Sequence, residues 1–371
     1  MKLKKLFAGI LAVAMMATMA APAFAATTYT GANGSSKIEV DGDGHAYLPV
    51  TKNFTVVSGT APDTMEFTFT LTKKDVNSEL AEGTVTPAVP AAVNDALKVT
   101  IDKSLNNNND LVTGTTVSKD FYIDLAALGI NHVGKYTYEL SENEANIPGV
   151  ACDTTKLKLV VSVVNADAKN PDGEHFAYYA ALSKDGEKIS YTDAFTNTYS
   201  ALQGTVTKKV EGDFADLSKT FKFKVTLKKI AGSTKIDSYK GAIVSSSNSD
   251  VTNPATISFD EDGTGYVYLK RNDTVTISNL PAGVSYTIEE VQDDGYLLSD
   301  YKTKINDVDS TTRVASHENI SASFEDTYTN TREGTPDTGV ILDNAPYIAL
   351  MMVVVAGAAV MIIKKRRHFE D

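Results

Sequence analysis

The chain has 371 residues, 47 Asp and Glu against 35 Lys and Arg, five His, one Cys and a formal charge of −12. That acidity argues against nucleic acid or anionic lipid as a partner, and a lone cysteine excludes an internal disulfide. The length allows two domains of ordinary size.

Lys2, Lys4 and Lys5 precede an apolar run from Leu6 to Ala17, and a small-residue stretch ends in Ala23-Phe24-Ala25. This is the order of a secretory signal peptide, and the run is short for a membrane span. Residues 1–25 are therefore expected to be removed, leaving Ala26 as the mature terminus of an exported protein.

From there to residue 332 the dominant period is two. Glu66 to Thr72, Lys156 to Leu159 and Thr220 to Val225 alternate polar with apolar residues, and no long helical period is present. Turn signals separate the runs at Asp41-Gly42-Asp43-Gly44, Asn106 to Asn109, Asp172-Gly173, Asp185-Gly186 and Asp262-Gly263. The pattern predicts an all-β chain of antiparallel sandwiches. Thr84 to Asn109 reads as a long, loop-like stretch.

The C-terminus has three parts: Thr335-Pro336-Asp337-Thr338-Gly339, an apolar run from Tyr347 to Ile363, and Lys364 to Arg367. The apolar run is at the short limit for a bilayer, and the basic cluster would stay cytoplasmic. The order resembles the cell-wall sorting signal read by sortases, with Thr335 where that motif has Leu. The resemblance implies cleavage between Thr338 and Gly339 and transfer of the Thr338 carbonyl to an amine. Residues 26–338 carry 28 basic and 44 acidic residues, a formal charge of −16.

Four strings recur in the same order. Val50-Thr51-Lys52 returns as Val206-Thr207-Lys208, and Phe67-Thr68-Phe69 as Phe221-Lys222-Phe223. Tyr138 to Glu142 returns as Tyr286 to Glu290, and Phe195 to Thr198 as Tyr328 to Thr331. The chain thus reads as two related β-domains, 26–200 and 201–332, with Ala201 to Gly204 as a short join and 333–371 as the sorting tail.

Parity within the strands is the informative feature. Lys52 shares a face with Leu48, Val50 and Phe54, and Lys208 with Val206 and Val210. Glu142 aligns with Tyr138 and Leu140, Glu290 with Tyr286 and Ile288, Asn197 with Phe195 and Tyr199, and Asn330 with Tyr328. A single Lys, Glu or Asn is ordinarily solvated. Repeated inward sets instead call for mutual contact, because an unpaired buried charge costs several kcal/mol. A lysine in an apolar core has a lowered pKa and becomes an amine nucleophile, whereas a glutamate there stays protonated. The glutamate would polarise the asparagine carbonyl and carry a proton to departing ammonia. The product is a Lys–Asn isopeptide bond between the first and last strands of a domain.

These residues resemble the two-domain shaft pilins of streptococci and the wider isopeptide-forming pilin family. Pro148-Gly149-Val150 with Asp153-Thr154-Thr155, Asn279 to Val284, and Ala345 to Leu350 support the resemblance. It implies tandem Ig-like (CnaB-type) sandwiches with bonds Lys52–Asn197, assisted by Glu142, and Lys208–Asn330, assisted by Glu290. Lys209 and Glu289 are adjacent alternatives, disfavoured by parity. It also implies a subunit polymerised by a sortase through Thr338 onto a lysine of the next identical subunit, and thereby linked to peptidoglycan at the cell surface. Lys188 in Asp185-Gly186-Glu187-Lys188-Ile189 is the expected acceptor and Lys184 the second choice. The alternative is a wall-anchored adhesin that binds a host or matrix ligand without polymerising.

An enzyme reading finds little support. His45, His132, His175 and His317 are scattered, and no phosphate loop or zinc spacing is present. Asp41 to Gly44 and Asp260 to Gly263 lack the ligand spacing of a calcium loop. No cofactor or metal is expected.

Overall fold

The computed structural model describes residues 37–74, 85–165, 176–228, 242–247, 252–257, 259, 263–293, 298–334, 347, 349–358, 360 and 361. The signal sequence, the 335–339 motif and the basic cluster at 364–367 lie outside them. Residues 347, 349–358, 360 and 361 are helical, and no helix among the described residues is long and apolar enough to cross a membrane.

The first sandwich runs through β1 (Lys37–Glu39), β2 (Tyr47–Val56), β3 (Thr64–Lys74), β4 (Lys98–Asp102), β5 (Thr116–Asp124) and β6 (Gly134–Glu142). It continues with β7 (Val150–Ala151), β8 (Lys156–Asn165), β9 (Phe176–Lys184), β10 (Glu187–Ile189) and β11 (Phe195–Tyr199). One sheet has the order β1-β9-β8-β6-β3-β4 with β10 also on β9; the facing sheet is β5-β2-β11-β7. The second sandwich runs through β12 (Ala201–Glu211), β13 (Phe221–Leu227), β14 (Ala242–Ser246), β15 (Thr256–Ile257), β16 (Thr264–Leu269) and β17 (Thr274–Pro281). It ends with β18 (Tyr286–Val291), β19 (Lys302–Ile305), β20 (Val308–Asp309), β21 (Val314–His317) and β22 (Phe324–Thr331). Its sheets are β15-β14-β17-β12-β22-β19-β20 and β16-β13-β18-β21.

Period two explains why these segments become strands. Every second residue of β2 from Leu48 to Val56 is buried, as are Met65, Phe67, Phe69 and Leu71 of β3. Each such aliphatic or aromatic side chain contributes about 1.5–3 kcal/mol on burial. The inward faces form two separate cores, one reaching from Ile38 to Ala201 and the other from Val206 to Tyr328.

Three features depart from the sequence expectations. First, one strand pair in each sandwich is parallel: β2 with β11, and β12 with β22. Parallel neighbours need a long crossover, and here the rest of the domain supplies it. Second, Ala201 to Gly204 is not a join but the start of β12, which pairs there with β17, leaving only Ser200 after β11. Third, the supposed loop holds the helix α1 (Ala91–Ala96) and β4. Val93, Leu97, Val99 and Ile101 are buried, and the Asn94 side chain takes up Leu71 N–H and C=O as a neighbouring strand would.

Candidate functional site

The parallel pairs place a lysine beside an asparagine at the same offset in both sandwiches. Lys52 is opposite Phe195, and Asn197 stands two residues further along β11. Lys208 is opposite Tyr328, and Asn330 stands two residues further along β22. Because side chains alternate, each asparagine shares the inward face with its lysine's partner. The glutamate comes from across the core: Glu142 ends β6 opposite Phe69, and Glu290 on β18 is opposite Phe223.

In the first sandwich the Lys52, Glu142 and Asn197 side chains are fully enclosed. Lys52 Nζ donates to Glu142 Oε2 at 2.5 Å, and Asn197 Nδ2 donates to Glu142 Oε1 at 2.5 Å. The Asp153 N–H donates to Asn197 Oδ1 at 2.7 Å. That N–H can only donate, so the amide oxygen must face it and the amide nitrogen must face the glutamate. Phe67 and Phe195 lie 5.2 and 5.9 Å from the lysine nitrogen and supply the apolar wall. Burial pushes the Lys52 amine down and the Glu142 carboxyl up, against the attraction between them. Both shifts favour moving the proton from lysine to glutamate, leaving a neutral amine beside a neutral acid.

The second sandwich repeats the set. Lys208 Nζ lies 2.8 Å from Glu290 Oε1, off the directions of a hydrogen bond, with Phe221 and Phe223 at 4.4 and 5.9 Å. Asn330 Nδ2 donates to the same Glu290 Oε1 at 2.7 Å. The donor to Asn330 Oδ1 is the Thr303 hydroxyl, at 2.8 Å. Burial pushes the Lys208 amine down to about 8, opposed by Glu290 and reinforced by Arg313.

This geometry accompanies a family match. Residues 48–200 match the description of a Spy0128-like isopeptide containing domain. Residues 205–332 match a domain of unknown function, DUF7601, so the repeated site falls where no role is attached. The chain is similar to a pilin of Streptococcus pyogenes serotype M1, with 29% identity over 342 residues that cover 89% of this chain and 92% of that pilin. Its fold is that of a crystallised point mutant of the Streptococcus pyogenes major pilin, with a TM-score of 0.51, 22% identity, and coverage of 78% of this chain and 99% of the other. The unmutated major pilin overlaps over 78% and 99% of the two chains, with 24% identity and a TM-score of 0.48. The chain is thus pilin-like over most of its length.

The adjacent residues differ in burial. Lys209 is exposed and Glu289 half-buried, while Lys208 and Glu290 are enclosed. Lys188 stands exposed on β10, and Lys184 donates to Thr155 Oγ1 at 3.1 Å. One expectation needs correcting: the glutamate faces the amide nitrogen, and the carbonyl oxygen is held by Asp153 N–H or Thr303 O–H. Sequence reasoning missed these donors because neither carries a distinctive pattern. It also missed Arg313, which donates from Nε to Thr303 Oγ1 at 2.9 Å and lies 3.9 Å from Glu290 Oε2.

Proposed function

We propose that each site forms a Lys–Asn isopeptide bond within its own domain, and that the chain is a pilus shaft subunit so reinforced. The observation that carries this reading is one enclosed carboxyl group touching both nitrogens that must exchange a proton, repeated in two domains. The neutral lysine amine attacks the asparagine Cγ, and the new Cγ–Nζ bond puts negative charge on Oδ1. Asp153 N–H or Thr303 O–H stabilises that charge, as an oxyanion donor does. The Cγ–Nδ2 bond then breaks. The glutamate passes the surplus proton from Nζ to Nδ2, which leaves as ammonia. Folding holds amine and amide together and so supplies the proximity. In the first domain, Glu142 and Asp153 also border a cleft of about 870 Å³ shared with Lys228, Ser285 and Glu318.

The wider reading rests on the pilin similarity and on the two chain ends. Export would remove residues 1–25, and a sortase would cut between Thr338 and Gly339. The Thr338 carbonyl would pass to Lys188 of the next subunit, and at the base of the polymer to peptidoglycan. The chain would then be a structural protein of the cell surface with a role in adhesion, turning over no external substrate.

Intact mass of recombinant residues 26–338 tests the bonds. The expected mass is that of the sequence less two ammonias. Glu142→Ala and Glu290→Ala should each restore one, and the double variant both. A wild-type mass equal to the plain sequence mass refutes the reading.

A further inference from the structure

The two sites differ in what holds the asparagine oxygen. In the first it is a main-chain N–H, carried by the short segment between β7 and β8. In the second it is a hydroxyl, which must itself be aimed. Thr303 has a single hydroxyl proton, and Thr303 Oγ1 accepts from Arg313 Nε at 2.9 Å. An oxygen that accepts there turns its own proton elsewhere, and Asn330 Oδ1 is 2.8 Å away. Thr303 is 4% exposed and the Arg313 side chain 17%, so the relay is largely screened from water.

Arg313 is itself tightly held. Its Nη2 donates to the Leu298 and Tyr301 carbonyls, the latter at 2.8 Å. Its N–H donates to Ser310 Oγ at 3.0 Å, and its carbonyl accepts from the Glu290 N–H at 3.0 Å. Its φ is 56°, a left-handed conformation that an arginine adopts only at a cost. A solvated arginine needs none of these constraints.

We propose that Arg313, acting through the Thr303 hydroxyl, is the positioning residue of the second site: it aims and polarises the Asn330 carbonyl for attack by Lys208. This rests on the bond-forming reading above and assigns the second domain a donor system of its own. Thr303 contacts the reacting carbonyl and is catalytic, while Arg313 acts through it. The cation has a second effect. The charged groups facing the Lys208 amine are Glu290 on β18 and Arg313 ahead of β21, and the cation favours the neutral amine. From β22, inward-facing Asp326 is already engaged by His317 and Asn306.

The test uses the full 26–338 chain and follows loss of the second ammonia by intact mass after purification, across a range of pH. Loss of the first ammonia serves as the folding and timing control. Thr303→Val keeps the shape and removes the hydroxyl, both the donor to Asn330 and the acceptor of Arg313 Nε. It should slow the second bond by about a hundredfold, the usual cost of one oxyanion donor. Thr303→Ser should recover most of that rate. Arg313→Met should slow the second bond and move its pH profile to higher pH, because the lysine loses a repelling cation. Arg313→Lys should recover part of both. A profile shift is not expected from loss of packing alone. If Thr303→Val forms the second bond at the wild-type rate, or Arg313→Met leaves the profile unmoved, the inference is overturned while the bond-forming reading stands. A wild-type chain with no ammonia lost overturns both.

Discussion

Lys52→Met isolates what the first cross-link contributes. Glu142→Ala would leave the Lys52 amine buried without a partner, adding a penalty of several kcal/mol unrelated to the bond. Methionine instead fills the lysine's apolar channel between Phe67 and Phe195 and leaves Glu142 free to keep Asn197. The loop closed by the bond spans residues 52–197, or 146 residues. The chain-entropy treatment of a cross-link gives about 5 kcal/mol for a loop of that size. Unfolding entropy of about 2.1 cal/mol/K per residue, over a domain of this length, turns this into a fall in Tm of about 15 °C. Scanning calorimetry of residues 26–338 should show that fall in one transition only, with the second domain as internal control. Intact mass should show one ammonia lost instead of two. An unmoved first transition, or two ammonias still missing, would show that Lys52 ties nothing.

Lys188→Arg should abolish the SDS-resistant ladder in wall extracts while the monomer folds and is exported; an unchanged ladder removes Lys188 and moves attention to Lys184. The second bond should form faster as pH rises toward about 8 and level off above it, because the Lys208 ammonium is held near 8 and only its neutral form attacks. Below that pH the rate should drop about tenfold per unit in a stopped-time mass assay. Mature wall-linked protein should begin at Ala26 and end at Thr338, so peptides from Val340 onward in that fraction would contradict the processing reading.

Fold and site were legible in the sequence to different depths, for physical reasons. Strand parity exposed the inward lysines, glutamates and asparagines because the period of two is local and survives without knowledge of pairing. The repeat supplied what parity lacks, since recurrence of a buried polar residue argues against accident. Pairing direction was hidden, because nothing in β2 or β11 alone distinguishes a parallel neighbour from an antiparallel one. Ala201 to Gly204 was misread because a strand start and a linker look alike over four residues. The Asp153 donor is a main-chain group, and its side chain gives no hint of it. Arg313 follows two threonines in an unremarkable turn, and only the tertiary structure brings it to Glu290 and Thr303.

The parallel pairing determines what the bonds would do under load. Tension applied between the two ends of residues 26–338 enters β2 from its N-terminal end and leaves β11 from its C-terminal end, which shears the two neighbours along their length. The same holds for β12 and β22, and only Ser200 separates β11 from β12. A bond from Lys52 to Asn197 diverts the force from residues 53–196, and a bond from Lys208 to Asn330 diverts it from 209–329. The loaded path is then little more than β2 as far as Lys52, the segment 197–208 and the end of β22. Single-molecule extension of residues 26–338, held at both ends, should therefore show no large unfolding step in the wild type. Lys52→Met should return the bypassed 144 residues to the path, a gain in contour length of about 500 Å at ~3.5 Å per residue. The second domain in that variant should stay locked, so the gain should come once per molecule. Large steps in the wild type, or none in Lys52→Met, would show that the buried triads do not carry the load.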